Sequence, residues 1–214
     1  MALTASTIIL IASVLLSAAL AAWSEARERR RLHLVTKPLT TVLIIAVAAL
    51  APAPVPAMYK TFVVTGLLCS LLGDVALMFP AKWFSAGLAA FLAAQAAYIL
   101  AFRQGPGHGA PLGIFLPFAL YGLLMFRLLA PHLGPMKLPV FVYIAAITAM
   151  AGFAAGRFVA LGGPRPLLAF AGAVLFLVSD SVLAYDRFAR KVRGARVLVL
   201  GTYFPAQLLI ALSV

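Results

Sequence analysis

Apolar residues fill eight segments of the chain, and each is about as long as a lipid bilayer is thick. The stretches between them are short and carry nearly all of the basic residues. A helix of about 19 residues spans about 28 Å, close to the ~30 Å hydrocarbon core of a bilayer. The pattern therefore predicts eight transmembrane helices, at about residues 3–23, 38–55, 61–79, 84–102, 112–130, 138–156, 166–184 and 196–213.

The composition agrees with a membrane protein. Of 214 residues, 64% are hydrophobic and 10% are charged, and the mean hydropathy is +1.09. Soluble domains are about 45–50% apolar and about 25% charged. These values exclude an ordinary soluble core and predict an all-α, polytopic helical bundle. No stretch between the segments is long enough for a soluble domain, so we expect one integral membrane domain over residues 1–214.

The net charge of +12 follows membrane topology. Basic residues lie between the apolar segments, as the positive-inside rule requires, so we exclude a nucleic-acid partner. Because the charge follows the first segment, we interpret it as an uncleaved helix with its N-terminus outside. Inner loops then hold thirteen basic residues, Arg27, Arg29, Arg30, Arg31, Lys37, Lys82, Arg127, Lys137, Arg187, Arg190, Lys191, Arg193 and Arg196, and outer loops four, Lys60, Arg103, Arg157 and Arg165. We expect a multi-pass protein of a bacterial inner membrane, with both termini on the non-cytoplasmic side.

Two aspartates interrupt the apolar pattern. Asp74 in the third segment and Asp180 in the seventh share the pattern small-Asp-x-x-Leu-x-aromatic. Carboxylates within hydrocarbon are costly, rare and usually functional. Both lie roughly 7 Å inside the predicted cytoplasmic interface. Their separation by four helices suggests two four-helix halves in a parallel 4+4 repeat; two independent motifs on one bundle is the alternative.

Other polar side chains occur at the level of the aspartates. We take as candidate substrate-binding residues Lys37, Ser70, Tyr143, Ser179, Tyr203 and Gln207. If their faces converge, they form a polar pocket open toward the inner leaflet. We expect the third and seventh helices to touch, with both aspartates facing that pocket. Several of the candidates have a simpler explanation: the tyrosines belong to an aromatic belt, Lys37 extends to the interface, and Gln207 joins neighbouring helices. Thr40, Thr41 and Thr202 nearby would then bond their own i−4 carbonyls.

Two carboxyls in different surroundings can act as a general acid and a general base. This chemistry suits acid-labile ether or acetal bonds, in which protonation gives an oxocarbenium ion that water attacks. A lipid with its head group among the basic loops would place its glycerol–chain junction at the depth of the aspartates. Such a reaction needs no metal and no cofactor. His33, His108 and His132 fall in predicted loops without metal-ligand spacing.

Four runs of the chain resemble the YhhN family of lysoplasmalogenases. They are Thr36–Thr41, Leu72–Met78, Leu175–Ala184 and Thr202–Ile210, in family order over nearly the whole chain. The resemblance implies hydrolysis of the vinyl ether of lysoplasmalogen, giving a fatty aldehyde and glycerophosphoethanolamine or glycerophosphocholine. It also implies that Asp74 and Asp180 are the catalytic pair. One departure is Gln95, where the family commonly has His.

We therefore predict that one aspartate protonates the β-carbon of the vinyl ether while the other stabilises the oxocarbenium ion and orients water. Tyr143, Tyr203 and Gln207 are candidates to orient water or the ether oxygen, and Lys37 is a candidate phosphate contact. The expected partners are a lysophospholipid from the membrane and water. The alternative is a proton-coupled transporter that uses the same two aspartates. A lipid-binding or scaffolding protein with structural carboxyls is a third interpretation.

Overall fold

The computed structural model describes residues 5–52, 55–79, 81–104 and 111–214, and within these ranges the regular structure is helical. The eight α-helices are α1 (Ala5–Ala26), α2 (Arg30–Leu50), α3 (Ala57–Met78), α4 (Phe84–Phe102), α5 (Leu116–Leu129), α6 (Lys137–Leu161), α7 (Pro164–Ala184) and α8 (Ala195–Leu212). Each forms part of a helical stretch long and apolar enough to cross a membrane. The all-α prediction and the number of membrane helices are confirmed.

The second helix differs most from its predicted bounds. The sequence placed its start near residue 38, but α2 begins at Arg30 and contains Pro38 in its interior. A proline removes one backbone hydrogen bond without ending a helix whose other contacts hold it. His33 therefore lies in α2, not in a loop as predicted; His132 lies in a short 3-10 turn, and His108 lies outside the described residues. The helix ends at Leu50, two residues before Pro52 and short of the predicted bound near residue 55.

Helix pairs adjacent in the chain provide the most extensive packing, above all α3 with α4 and α7 with α8. Helices α2 and α1 both pack on α8, while α6 contacts α4 and α7. Helix α7 approaches α8 closely at Gly172, where an added Cβ would lie 2.7 Å from the Ala206 carbonyl oxygen. Small residues of this kind let membrane helices pack backbone to backbone.

One end of the bundle carries the arginine-rich turns at 27–31 and 190–196, and we call it the basic end. Helices α1, α3 and α7 end there, and α2, α4 and α8 begin there. Asp74 lies four residues before the end of α3, and Asp180 four residues before the α-helical end of α7. At 1.5 Å per residue both are about 6 Å from their helix ends. The side of the membrane that the basic end faces, and the 4+4 repeat, stay predictions.

Candidate active site

A cavity of about 630 Å³ opens at the basic end and reaches both aspartates. Charged side chains surround its mouth: Glu25, Glu28, Arg30, His33, Asp186, Arg187, Lys191 and Arg196. Further in, its walls are apolar: Leu77, Met78, Phe79, Phe84, Phe91, Leu183, Val199 and Leu200. Asp74, Asp180 and Tyr203 lie among these inner walls. Ligand pockets commonly have this size and this combination of apolar walls with a few polar groups.

Asp74 is buried and has three partners. The ammonium Nζ of Lys37 lies 3.3 Å from its Oδ1. The hydroxyls of Thr41 and Tyr203 both donate to Oδ2, each at 2.7 Å. Asp74 is 1% exposed, so this carboxylate is compensated by one cation and two donors rather than by bulk water. Helices α2 and α8 thus supply everything that holds the α3 carboxylate.

Asp180 has a sparser environment. The Tyr143 hydroxyl, from α6, donates to its Oδ2 at 2.5 Å. Among the described residues, no cation lies within ion-pair distance of Asp180, and its Oδ1 makes no hydrogen bond to protein. The residue is half-buried and lines the cavity. The two carboxyls therefore face one space with different partners.

Three aromatic rings fix the wall between the two carboxyls. Phe91, Phe176 and Tyr203 contact one another edge to face, with centroid separations from 5.7 to 6.1 Å. Phe91 approaches α3 at Gly73, where an added Cβ would lie 2.6 Å from the ring. The glycine before Asp74 therefore admits the α4 ring, and the ring in turn supports the tyrosine that donates to Asp74.

Ion pairs tie together the elements at the mouth. Glu25 contacts Arg196 at 3.1 Å and His33 at 3.5 Å, which joins α1 to α2 and α8. Asp186 lies in a π-helical turn after α7 and bonds Lys191 at 3.0 Å. Lys191 and Arg196 are exposed, so their two pairs each contribute little to stability, about 0–1 kcal/mol, whereas the contact of His33 with Glu25 is mostly buried. Their consequence is a mouth that presents both signs of charge.

Five of the eight residues predicted for the site line the cavity: Lys37, Asp74, Ser179, Asp180 and Tyr203. The Lys37 ammonium pairs with the Asp74 carboxylate, and its predicted contact with a phosphate stays a prediction. The Ser179 hydroxyl bonds the Val199 carbonyl at 3.1 Å and ties α7 to α8. Tyr143 reaches the site only through Asp180. Ser70 and Gln207 lie outside the cavity wall, fully buried.

Sequence reasoning assigned Thr41 wrongly. It was expected to bond the carbonyl four residues earlier, as Thr40 does to Thr36 at 2.8 Å and Thr202 does to Leu198 at 2.9 Å. Instead, Thr41 donates to Asp74. Its spacing from Lys37, one helical turn, was the available signal, because residues four apart share a face.

The expectation that α3 and α7 pack directly against each other also needs correction. They are not among the helix pairs in substantial contact. Residues of α4 and α8, chiefly Phe91 and Tyr203, fill the space between them. Phe91 and Tyr203 themselves line the cavity, so the aspartates share that space across an aromatic wall and not through direct contact of their helices.

Comparisons with known proteins give a family match and several named relatives. The model of the YhhN family matches residues 32–214. The chain is 38% identical to human lysoplasmalogenase TMEM86B over 165 residues, which are 72% of this chain and 64% of the human protein. It is 39% identical to pig lysoplasmalogenase TMEM86B over 149 residues, or 69% of this chain and 61% of the pig protein.

A bacterial relative is covered more completely. The membrane protein YhhN of Escherichia coli O157:H7 is 27% identical over 183 residues, which are 84% of this chain and 85% of the relative. The matches to the human and pig proteins span less than two thirds of those proteins' length. No solved structure matches the chain.

Proposed function

The chain belongs to the YhhN family, and from this premise we propose that it is a lysoplasmalogenase. The proposed reaction is hydrolysis of the vinyl ether bond of lysoplasmalogen to a fatty aldehyde and glycerophosphoethanolamine or glycerophosphocholine. Its similarity to proteins named lysoplasmalogenase supports the reaction class. The observation that carries the proposal is the pair of carboxyls, in unlike surroundings, on one cavity with a charged mouth and apolar walls.

The graded polarity of the cavity suits a lysophospholipid. The phosphate and amine of the head group match a mouth that carries both arginines and carboxylates. The apolar wall formed by Leu77, Met78, Phe79 and Phe84 runs to the outside of the bundle, where Phe79 is 55% exposed. The alkenyl chain follows that wall, and the ether bond lies near the carboxyls. We place the basic end in the cytosol, because loops rich in Lys and Arg stay on that side, so the lipid enters from the inner leaflet.

Asp74 is the ionised member of the pair in this proposal. The Lys37 ammonium balances its charge, and the hydroxyls of Thr41 and Tyr203 stabilise it. A carboxylate held in this way accepts a proton from water and stabilises positive charge that develops nearby. Its geometry is set by three side chains from two other helices, so little reorganisation is needed during the reaction.

Asp180 is the general acid. Among the residues that the structure describes, no cation lies close enough to balance a negative charge on Asp180, which favours its neutral carboxylic acid form. A neutral carboxyl accepts a hydrogen bond at one oxygen and carries its proton on the other. Tyr143 occupies Oδ2, so the proton resides on Oδ1, the oxygen without a described protein partner.

The reaction proceeds in three steps that return both residues to their starting state. Asp180 donates its proton to the β-carbon of the vinyl ether, and the ether oxygen's electrons form the oxocarbenium ion. Water adds to the cationic carbon and gives one proton to Asp74, which produces a hemiacetal. Asp74 then protonates the departing glycerol oxygen while Asp180 accepts the hemiacetal hydroxyl proton, and the aldehyde forms.

Aldehyde release from lysoplasmalogen in detergent tests the proposal. Asp74→Asn and Asp180→Asn each preserve shape but remove a proton carrier, so each should lower kcat by about 10²–10⁴-fold. Asp186→Asn is the matched control for kcat, because among the described residues this mouth aspartate bonds the exposed Lys191 and the Val192 amide and lies away from the reacting bond; it should retain kcat, and a weaker head-group contact would change KM alone. Full aldehyde release in either site variant would defeat the assignment, and uptake without product in proteoliposomes would favour a transporter.

A further inference from the structure

A cluster of polar side chains lies deep in the bundle, beyond the cavity wall. Ser70 of α3, Gln95 and Tyr98 of α4, and Gln207 of α8 are each 0% exposed. None of them lines the cavity that contains the aspartates. Gln95 and Tyr98 are three residues apart on α4 and share a face. The Tyr98 hydroxyl donates to the Gln207 Oε1 at 2.6 Å, which joins α4 to α8.

Several polar atoms of this cluster have no hydrogen-bond partner of good geometry within the described part of the protein. The Ser70 hydroxyl, the Gln207 amide nitrogen and both polar atoms of the Gln95 amide are buried and, among the described residues, make no hydrogen bond of good geometry, although the hydroxyls of Tyr98, Tyr203 and Tyr143 lie beside them. A buried polar group left unpaired loses its full hydration free energy, so native structures pair such groups with protein or with ordered water. Three neighbouring unpaired side chains in hydrocarbon indicate a ligand-binding position rather than a packing defect.

The hydrogen-bonding groups of the cluster determine which kind of ligand it can bind. It offers two amide NH₂ donors, one amide carbonyl acceptor and a hydroxyl that can do either, and it contains no charged side chain. An ion would be left without a counter-charge, whereas a small neutral molecule that both donates and accepts is matched. Buried water makes about three hydrogen bonds of this kind.

Each aspartate is linked to this cluster through one tyrosine. Tyr203 donates to Asp74 and lies beside Gln207. Tyr143 donates to Asp180 and lies beside Gln95. Both hydroxyl protons are directed to the carboxyls, so neither tyrosine has a proton left to donate to the Gln95 amide oxygen. Tyr203 also lines the cavity and therefore borders both spaces.

We propose that Ser70, Gln95 and Gln207 hold ordered water behind the two aspartates, and that this water supplies the hydrolytic step. The inference rests on the function proposed above. A lysolipid that fills the cavity closes the mouth to bulk water, so the nucleophile must come from the opposite side. Water moves past Tyr203 to the reacting bond, where the water oxygen forms a bond to the oxocarbenium carbon. The C=O π electrons return to the ether oxygen, and one proton of the water goes to Asp74. The glutamines are positioning residues.

The first measurement needs no substrate. Hydroxyl radicals generated by X-ray pulses modify buried side chains where water is bound beside them. In the wild-type protein in detergent, Tyr98 should be modified although it is fully buried. Met150, equally buried, lies two turns along α6 from Tyr143 and serves as the dry control. In the variant Gln95→Leu/Gln207→Leu, modification of Tyr98 should fall to the level of Met150.

The second measurement follows the chemistry in D₂O. If water addition is slowed, the oxocarbenium ion returns a proton to Asp180 before it is trapped. The double variant should then show a kcat lowered by about tenfold or more with little change in KM, since the lipid does not contact the cluster. Its recovered substrate should carry deuterium at the β-vinyl carbon, whereas wild-type enzyme should leave recovered substrate unlabelled. A merely structural defect produces no such label.

The outcomes separate this inference from the proposed function. Wild-type Tyr98 as unreactive as Met150 would overturn the water site, even if the double variant failed to fold. Normal turnover and unlabelled substrate in the variant would overturn the supply role. Ser70→Ala, a smaller change, should show the same label to a lesser degree. If Asp74→Asn and Asp180→Asn lose activity while the glutamine variants keep it, the function stands and this inference fails.

Discussion

The ion pair between Lys37 and Asp74 offers the sharpest test of how the site is held. The change is Lys37→Met, which keeps the length of the side chain and removes its ammonium. Breaking a buried ion pair from one side costs about 3–5 kcal/mol, because the other charge is left uncompensated. Thr41 and Tyr203 still donate to the carboxylate, and the Lys37 side chain is 12% exposed. We therefore expect the lower end, a loss of about 3 kcal/mol in the free energy of unfolding.

The assay is SDS-induced unfolding in detergent micelles, followed by the fluorescence of Trp23 and Trp83. Lys60→Met is the control, because within the described part of the chain Lys60 bonds the Ala51 carbonyl, at 2.8 Å, and pairs with no carboxylate. Losing that one hydrogen bond should cost about 1 kcal/mol.

A double-mutant cycle decides the mechanism of the loss. In Lys37→Met/Asp74→Asn both charges are absent, so the double variant should be less destabilised than the sum of the single variants by about 2 kcal/mol. Additivity of the two single effects within about 0.5 kcal/mol would refute the reasoning, because it would mean that the pair carries no coupling energy.

Two further predictions each have a matched control, in the same helix for the threonine variant and in the neighbouring helix for the glycine variant. Thr41→Val removes one hydroxyl donor from the Asp74 carboxylate and should raise the activation free energy by about 1–3 kcal/mol, which lowers kcat. Thr40→Val should change kcat little, because the Thr40 hydroxyl bonds the Thr36 carbonyl and does not contact that carboxylate. An equal loss of kcat in both variants would contradict the prediction. Gly172→Ala places a Cβ 2.7 Å from the Ala206 carbonyl and should destabilise the fold by about 1–3 kcal/mol in the SDS assay. Gly201→Ala meets no atom within 4 Å and should be neutral or stabilising; an unharmed Gly172 variant would show that α7 and α8 separate freely.

The membrane bundle and the depth of the aspartates could be predicted from the sequence. The number of membrane helices depends on the lengths of apolar segments, which are local properties of the chain set against a fixed bilayer thickness. Asp74 and Asp180 stand out because a carboxylate within such a segment is costly wherever its helix lies. Their common level follows from counting residues to the helix ends. None of these inferences needs to know which helices are neighbours.

The partners of each carboxyl depended on tertiary structure. The rotation and pairing of helices determine that Tyr203 meets Asp74, that Tyr143 meets Asp180, and that Lys37 pairs with Asp74. Sequence spacing placed Ser70 and Gln207 at nearly the same level as the site, but packing put them behind its wall. Level is a coordinate along a helix, which the sequence contains; facing direction is set by contacts between helices distant in the chain, which only the folded bundle decides.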